Sequence, residues 1–158
     1  QMQRAGIDIG LGTDGPAGSN NDFDMLEEMN LAADLQKVAT MNPQALPALK
    51  AIEMATIDGA RVTGREKQIG SLEPGKVWDL ITIRLDRPHA VPMYNVYSQI
   101  VYALKASDVQ DVIVNGQPIV RDGRSLSLNE AEIVRRARKY TTRITASLKQ
   151  NSSATPQK

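Results

Sequence analysis

A predicted strand and the turn that ends it occupy Gly6-Ile7-Asp8-Ile9-Gly10-Leu11-Gly12-Thr13-Asp14-Gly15-Pro16, close to the start of the chain. Apolar residues alternate along the first half and glycines crowd the second, a pattern typical of a strand that ends in a sharp corner. The pattern predicts Asp14 at the carboxyl end of the strand, where α/β enzymes carry their catalytic groups. Because aspartates beside glycines commonly form turns, the local pattern on its own favours a turn role for Asp14.

Three helices are predicted after this corner. Asn20 or Asn21 is the expected N-cap of the first helix, whose early acidic residues suit the positive end of the helix dipole. A second helix is predicted to begin near Pro47, and a short third helix to occupy residues 57–62 with Thr56 as its cap. The first helix carries a broad apolar face, which consists of Phe23, Leu26, Met29, Leu31, Ala33, Leu35 and Val38.

The composition changes at Gln68, where turn-forming and strand-forming residues replace the helical pattern. Pro74 and Gly75 occupy the central positions of a predicted type II turn, and residues 77–85 favour a strand. Two further β-rich runs flank Asn115-Gly116, a dipeptide that predicts a hairpin with a type I′ turn.

Side chains outside the Asp14 corner offer other candidates for chemistry. Asp79 lies within a predicted strand, and capping of the neighbouring turn or pairing with a basic residue is favoured over catalysis. His89, the sole histidine, lies between prolines, so solvation or a local hydrogen bond is favoured over metal ligation. For Tyr94, Tyr97 and Tyr102, a place in the core or in a subunit interface is favoured over a stacking platform for a base.

The last predicted element is a helix over residues 129–149. Asn129 and Glu132 form a start similar to a capping box. Its many arginines and lysines favour a solvated face, because the balanced charge of the chain and the lack of interleaved aromatics weigh against nucleic-acid binding. The polar residues 150–158 are expected to be disordered. The stripe predicted to be buried consists of Ile133, Ala137, Tyr140, Ile144 and Leu148, with Val134 and Thr141 beside it.

Length and composition bound what the chain can be. Its 158 residues are enough for one domain with a core, whereas a complete (β/α)8 barrel needs roughly 250. The 19 basic and 18 acidic residues nearly balance, so no net field favours nucleic acid or a membrane as a partner. No apolar run is long enough to span a bilayer. The lack of cysteine excludes a disulfide scaffold and a thiolate metal site, and it is consistent with a cytoplasmic protein.

Several motifs stand in order along the chain, namely Gly10-Leu11-Gly12-Thr13-Asp14-Gly15-Pro16, Ser19-Asn20-Asn21-Asp22-Phe23-Asp24-Met25, Glu27-Glu28-Met29, Ile69-Gly70-Ser71-Leu72-Glu73-Pro74-Gly75-Lys76 with Asp79-Leu80, and Val112-Ile113-Val114-Asn115-Gly116. Together they resemble the metal-dependent amidohydrolases over about residues 6–144. The resemblance is closest to the branch that contains the S-adenosylhomocysteine/methylthioadenosine deaminases and the triazine chlorohydrolases.

The resemblance implies an α/β protein that forms the C-terminal part of a (β/α)8 metallo-hydrolase barrel, a small β-sandwich domain and a C-terminal helix. Residues 1–66 would be the last barrel strand and the helices that follow it. Residues 67–128 would be part of the β-sandwich, residues 129–149 the C-terminal helix and residues 150–158 a disordered tail.

The resemblance also implies that Asp14 is both a metal ligand and a catalytic residue. The expected cofactor is a divalent metal, zinc by the usual inference, which activates water. Because the chain has one histidine, the other ligands, a His-x-His pair among them, are expected in a portion that precedes Gln1. The chain on its own is therefore expected to be inactive.

The reaction implied by the resemblance is deamination of the adenine ring of methylthioadenosine or S-adenosylhomocysteine. Guanine deamination and triazine hydrolysis stay open as sibling activities. A hypothesis of a different class is a non-catalytic module that binds a partner or completes an oligomer. The expected partners are a small nucleoside-like substrate and further copies of the same protein, a homo-oligomer, with neither nucleic acid nor a membrane.

Overall fold

The computed structural model describes Met2, residues 5–15 and residues 19–153, and the chain divides into two units, Gln1–Arg124 and Ser125–Lys158. Helices and strands are mixed, which confirms the predicted α/β class. The helices are α1 (Met25–Thr40), α2 (Ala48–Ala55), α3 (Ile57–Val62), α4 (Val96–Tyr102) and α5 (Glu130–Ser153), and the strands are β1 (Leu80–Ile83), β2 (Val109–Val114), β3 (Gln117–Arg121) and β4 (Arg124–Ser125).

Helix α1 is capped by Asp24, whose carboxylate accepts hydrogen bonds from the backbone N–H groups of Leu26 and Glu27. The prediction of Asn20 or Asn21 as the cap is wrong, because the side chain of Asn20 is bonded elsewhere. A carboxylate at this position both satisfies unpaired N–H groups and complements the positive end of the helix dipole.

The core of the first unit lies where α1, α2 and α4 meet. Ala33 and Ala51 are fully buried there, and such small side chains let helices approach closely. On α1 only part of the predicted apolar face is covered, since Leu35 and Val38 stay 63% and 71% exposed. The buried hydrophobic residues of the core are Leu26, Met29, Ala33, Leu46, Ala48, Ala51, Met54, Ala90, Val101 and Leu104.

Residues 7–11, predicted as a strand, run without strand pairing in the described part of the chain. Their backbone is instead attached to α2, where the N–H of Leu11 donates to the carbonyl of Met54 at 3.0 Å. Gly10 packs against α3 so closely that a Cβ there would lie 2.9 Å from the Cα of Gly59. A strand is defined by a paired neighbour, and the described residues beside this segment are helical.

The sheet has the order β1-β2-β3-β4, and β2 is antiparallel to both β1 and β3. The predicted hairpin is confirmed, because Asn115 and Gly116 both take the positive φ angles, 51° and 73°, that a type I′ turn requires. The strand predicted at residues 77–85 is shorter, at Leu80–Ile83. The described residues form this one four-stranded sheet, whereas a β-sandwich requires two sheets packed face to face.

Smaller predictions for the helices have mixed outcomes. Helices α2 and α3 occupy the predicted positions, with α2 directly after Pro47. The side chain of Thr56 does not cap α3, because its hydroxyl donates to the carbonyl of Ile52 at 2.7 Å. The type II turn at Pro74 and Gly75 closes as predicted, with φ of 91° at Gly75.

The second unit contains α5, whose start is fixed by the side chain of Asn129, which accepts from the N–H of Glu132 at 3.0 Å. The helix continues to Ser153, so residues 150–153 of the predicted disordered tail are helical, and residues 154–158 lie outside the described residues. The predicted buried stripe is wrong for this chain, since Ile144, for example, is 59% exposed. An amphipathic pattern shows which face requires a partner, not that the chain supplies one.

Candidate functional site

Asp14 lies exposed at a corner of the backbone, with a φ of 55° in the left-handed region. Aspartate tolerates this conformation better than most residues, but it is still uncommon. One carboxylate oxygen, Oδ1, accepts a hydrogen bond from the backbone N–H of Gly15 at 2.8 Å. The hydroxyl of Thr13 donates to the carbonyl of Asp14 at 3.2 Å. These local bonds fix one carboxylate oxygen and the peptide group between Asp14 and Gly15.

A second set of bonds attaches this corner to α1 through Asn20. Its amide Nδ2 donates to the carbonyl of Thr13 at 2.9 Å and to Oε1 of Glu28 at 2.7 Å. Its backbone N–H donates to the carbonyl of Gly15 at 3.2 Å. The sequence pattern misassigned Asn20, because an Asn-Asn-Asp run before a helix is also what a helix cap looks like.

The chemistry of Asp14 fits one ligand of a divalent metal, because carboxylate oxygens bind zinc and harder cations alike. In the described parts of the chain no cluster of three or more histidine, cysteine, aspartate or glutamate side chains could hold a metal. Among these described residues, Asp14 is therefore not part of such a cluster. That the further ligands lie elsewhere in the protein stays a prediction.

His89 is held by a hydrogen bond, but not a local one. Its Nε2 lies 2.8 Å from Oδ2 of Asp108, a carboxylate only 2% exposed that also accepts from the N–H of Lys105. Burial by itself would raise the pKa of Asp108, yet the bonds from His89 and Lys105 outweigh it and the pKa is lowered. His89 thus ties its loop to the turn before β2.

Asp79 has the structural role that the sequence favoured. Its Oδ1 accepts from the N–H of Asn115 at 2.7 Å, and the carbonyl of Trp78 accepts from the N–H of Gly116 at 2.9 Å. The residues just before β1 therefore hold the turn between β2 and β3. The carboxylate of Asp79 thus has a backbone hydrogen-bond partner and a structural role.

The tyrosines do not share a single role. The hydroxyl of Tyr102 accepts from Nζ of Lys37 at 2.7 Å, and the same ammonium lies 5.0 Å from the ring centroid, which ties α4 to the end of α1. Tyr94 is 93% exposed, so it does not lie in the core of this chain, and a place in a subunit interface stays a prediction for it. Tyr97 is also exposed.

A cavity of about 180 Å³ lies beside residues 6–9 and is closed on one side by an ion-pair cluster that the sequence analysis missed. The buried carboxylate of Asp58 accepts from Lys50 at 2.6 Å and from Arg61. Hydrogen bonds to Asp58 and Glu53 raise the pKa of Lys50. Because both oxygens of Asp58 have cationic partners, this cluster is structural. The only available signal was the i,i+3 spacing of opposite charges.

Comparisons with known proteins agree with one another. Residues 1–119 match the model of the Amidohydrolase family. The chain is 45% identical over 150 residues to 5-methylthioadenosine/S-adenosylhomocysteine deaminase 1 of Syntrophus aciditrophicus, covering 95% of this chain and 34% of that protein. It is 45% identical over 148 residues to 5-methylthioadenosine/S-adenosylhomocysteine deaminase of Desulforudis audaxviator, covering 94% of this chain and 34% of that protein. The chain thus spans about a third of the length of these relatives.

Two solved structures of zinc-containing proteins are also similar to this chain. An adenosine deaminase from Xanthomonas campestris with bound zinc matches 92% of this chain and 33% of its own, with a TM-score of 0.87 and 37% identity. Atrazine chlorohydrolase from Arthrobacter aurescens, complexed with zinc, matches 85% of this chain and 30% of its own, with a TM-score of 0.74 and 28% identity. None of the helices in the described part of the chain combines the length and apolar character that crossing a membrane requires.

Proposed function

The chain belongs to the amidohydrolase family, and from that premise we propose that its protein deaminates the adenine ring of methylthioadenosine and S-adenosylhomocysteine, releasing ammonia and leaving the inosine analogue. One observation carries this proposal, the 45% identity over 95% of the chain to a relative that bears the name of that activity. Because the chain spans a third of that relative, the activity belongs to a polypeptide that also supplies the remainder.

In this proposal Asp14 is one ligand of a divalent metal, zinc in particular, and the other ligands come from outside this chain. The zinc in two structurally similar proteins supports this metal. When bound, a divalent metal lowers the pKa of its water to near 7 and so supplies a nucleophile. Asp14 accepts the proton released as water adds to the ring and returns it to the departing amine. The bond from Gly15 to Oδ1 orients the carboxylate for this transfer.

The proposed architecture places residues 1–66 at the end of a (β/α)8 barrel, residues 67–128 in a β-sandwich and residues 129–149 in a C-terminal helix. The TM-score of 0.87 to an adenosine deaminase, of which this chain covers 33%, supports the barrel. The exposed apolar faces of α1 and α5 support burial against the remainder of the protein or against further copies in a homo-oligomer. The lack of cysteine supports a cytoplasmic location.

Triazine hydrolysis is a second candidate, favoured by the match to atrazine chlorohydrolase. It ranks lower because that match has 28% identity, against 45% for the deaminase relatives. Adenine and triazine rings both lose a leaving group by attack at a ring carbon, so one site chemistry serves either reaction. Guanine deamination is a further sibling activity of the same class.

The test uses the full-length protein, with metal analysis and assays on methylthioadenosine, S-adenosylhomocysteine, guanine and a chlorotriazine. We expect about one zinc per chain and a preference for the two adenine compounds. Replacing Asp14 with alanine should lower kcat by roughly a thousandfold or more, whereas Asp22→Ala, on the same exposed loop, should change it little. Activity that survives Asp14→Ala would refute the mechanism, and activity on guanine or the triazine alone would refute the substrate.

A further inference from the structure

We propose that Asn20 and Glu28 are positioning residues that hold the Asp14 carboxylate in its reactive orientation. The proposal rests on the function proposed above and adds to it two residues that do not touch the substrate. The pair is named here the Asn20–Glu28 clamp, and it consists of the amide of Asn20 and the carboxylate of Glu28, joined at 2.7 Å.

The clamp holds the backbone on both sides of Asp14. On one side the amide of Asn20 donates to the carbonyl of Thr13 at 2.9 Å, and on the other its backbone N–H donates to the carbonyl of Gly15 at 3.2 Å. A non-glycine residue with a φ of 55° keeps that conformation only where its surroundings determine it. Asn20 supplies that determination, since it bonds the carbonyl of the residue before the aspartate and the carbonyl of the residue after it.

Glu28 gives the clamp its rigid base. The residue lies in the first turns of α1, beside Leu26 and Met29, which are buried in the core. Its backbone N–H donates to the carbonyl of Asp24 at 3.1 Å, so its main chain is fixed by the helix. Because Glu28 is half-buried on a helix that packs in the core, its carboxylate can hold the loop that carries Asp14 at a fixed position relative to the core.

Helix electrostatics alone would not distinguish Glu28 from its neighbour. Glu27 lies in the same turn and interacts equally with the helix dipole, but its side chain is exposed. The hydrogen bond from Asn20 goes to Glu28. This difference provides a matched control, because each alanine variant removes the same charge from the same turn.

The experiment uses the full-length protein loaded with zinc and measures deamination of methylthioadenosine and the rate at which a chelator removes zinc. Glu28→Ala should lower kcat by about tenfold to a hundredfold with KM within about twofold, and should release zinc faster than the wild type. Glu28→Gln, which keeps an oxygen that can accept from Asn20, and Glu27→Ala should both stay within about threefold of the wild type.

Two results would overturn the clamp: equal behaviour of the two alanine variants, or a glutamine variant as impaired as Glu28→Ala. Circular dichroism establishes that each variant is folded. If Glu28→Ala does not fold, Asn20→Ser replaces it with the same expected losses, and wild-type kcat and zinc release in that variant would refute the clamp. A wild-type protein without deaminase activity would refute the proposed function instead, and the zinc-release rates would still test the clamp.

Discussion

At the scale of single residues, positive φ angles divide into those that the sequence predicts and those that it does not. Gly75 and Asn115-Gly116 were predictable, because the turns that need them are set by adjacent residues. The left-handed Asp14 was not, since its conformation depends on Asn20 and Glu28 further along the chain. The family resemblance therefore identified Asp14 as the candidate catalytic residue, and the local pattern did not show what holds it.

Gly70 and Gly75 share a φ of 91° but differ in their surroundings. A Cβ at Gly70 would lie 2.7 Å from the Cβ of Ala60, whereas none of the described atoms lies within 4 Å of one at Gly75. Gly75→Ala should cost about 1 kcal/mol in backbone strain. Gly70→Ala should cost about 1 to 3 kcal/mol more, because overpacking is added to the same strain. Denaturant unfolding of both variants measures the difference, and equal losses would contradict it.

The lowered pKa of Asp108 predicts a dependence of stability on pH. A carboxyl with a lower pKa in the folded state stabilises it above the unfolded pKa, near 3.8, and this contribution is lost as the pH falls through the folded pKa. The wild type should exceed Asp108→Asn in unfolding free energy by about 1 to 3 kcal/mol at neutral pH, because the buried charge-assisted bonds are lost. The difference should shrink below about pH 4.

Denaturant titrations over a pH series test this prediction. Asp86→Asn is the control, since Asp86 also has a lowered pKa through its bond to Arg84 but is exposed, so solvent should screen most of the effect. A difference between wild type and Asp108→Asn that stays constant with pH would contradict the assigned role.

At the scale of elements, helix α1 shows what periodicity can and cannot predict. The apolar spacing predicted a broad face, and the structure divides it into a part that contacts the core, such as Met29, and a part that stays exposed, such as Val38. The sequence cannot indicate which part is covered, because that depends on elements that follow α1 or lie outside the described chain. The hairpin needed no such information, so it was predicted in full.

Asp79 belongs to this scale because it joins one element to the turn of another. Asp79→Ala should lower stability by about 0.5 to 1.5 kcal/mol, since the N–H of Asn115 loses its partner, and should leave kcat unchanged. Asp79→Asn keeps an oxygen acceptor and should be nearly neutral. Thermal unfolding and kinetics of the full-length protein test both changes, and a loss of kcat without a loss of stability would reopen a catalytic role for Asp79.

At the scale of the whole molecule, the sequence predicted the family and its candidate carboxylate, but only one ligand of a metal site. The family could be predicted because several of its motifs occur in the same order along this chain, and the match to the family model confirms it. The remaining ligands could not be assigned, because the chain has one histidine and the structure uses it to bind Asp108. In the proposed architecture the site is assembled from distant parts of a barrel, so a chain that spans a third of its relatives cannot complete it.

Because part of the apolar face of α1 is exposed, we expect Leu35→Gln to act differently in the 158-residue chain alone and in the full-length protein. In the 158-residue chain alone, Leu35→Gln should reduce binding of a hydrophobic dye, because Leu35 is 63% exposed there and beside an apolar cavity. In the full-length protein the same change should lower stability by about 1 to 3 kcal/mol, since the proposed architecture covers this face. Leu26→Gln, in the core, should destabilise both. A full-length protein indifferent to Leu35→Gln would contradict this.

The connection between β1 and β2 has a consequence for synthesis on the ribosome. The β2–β3 hairpin closes through two residues, but β1 reaches its partner only after residues 84–108. At roughly 5 to 20 residues per second, β1 therefore emerges about one to five seconds before the strand that pairs with it. Throughout that interval the edge of β1 that later pairs with β2 offers unpaired backbone groups to other nascent chains.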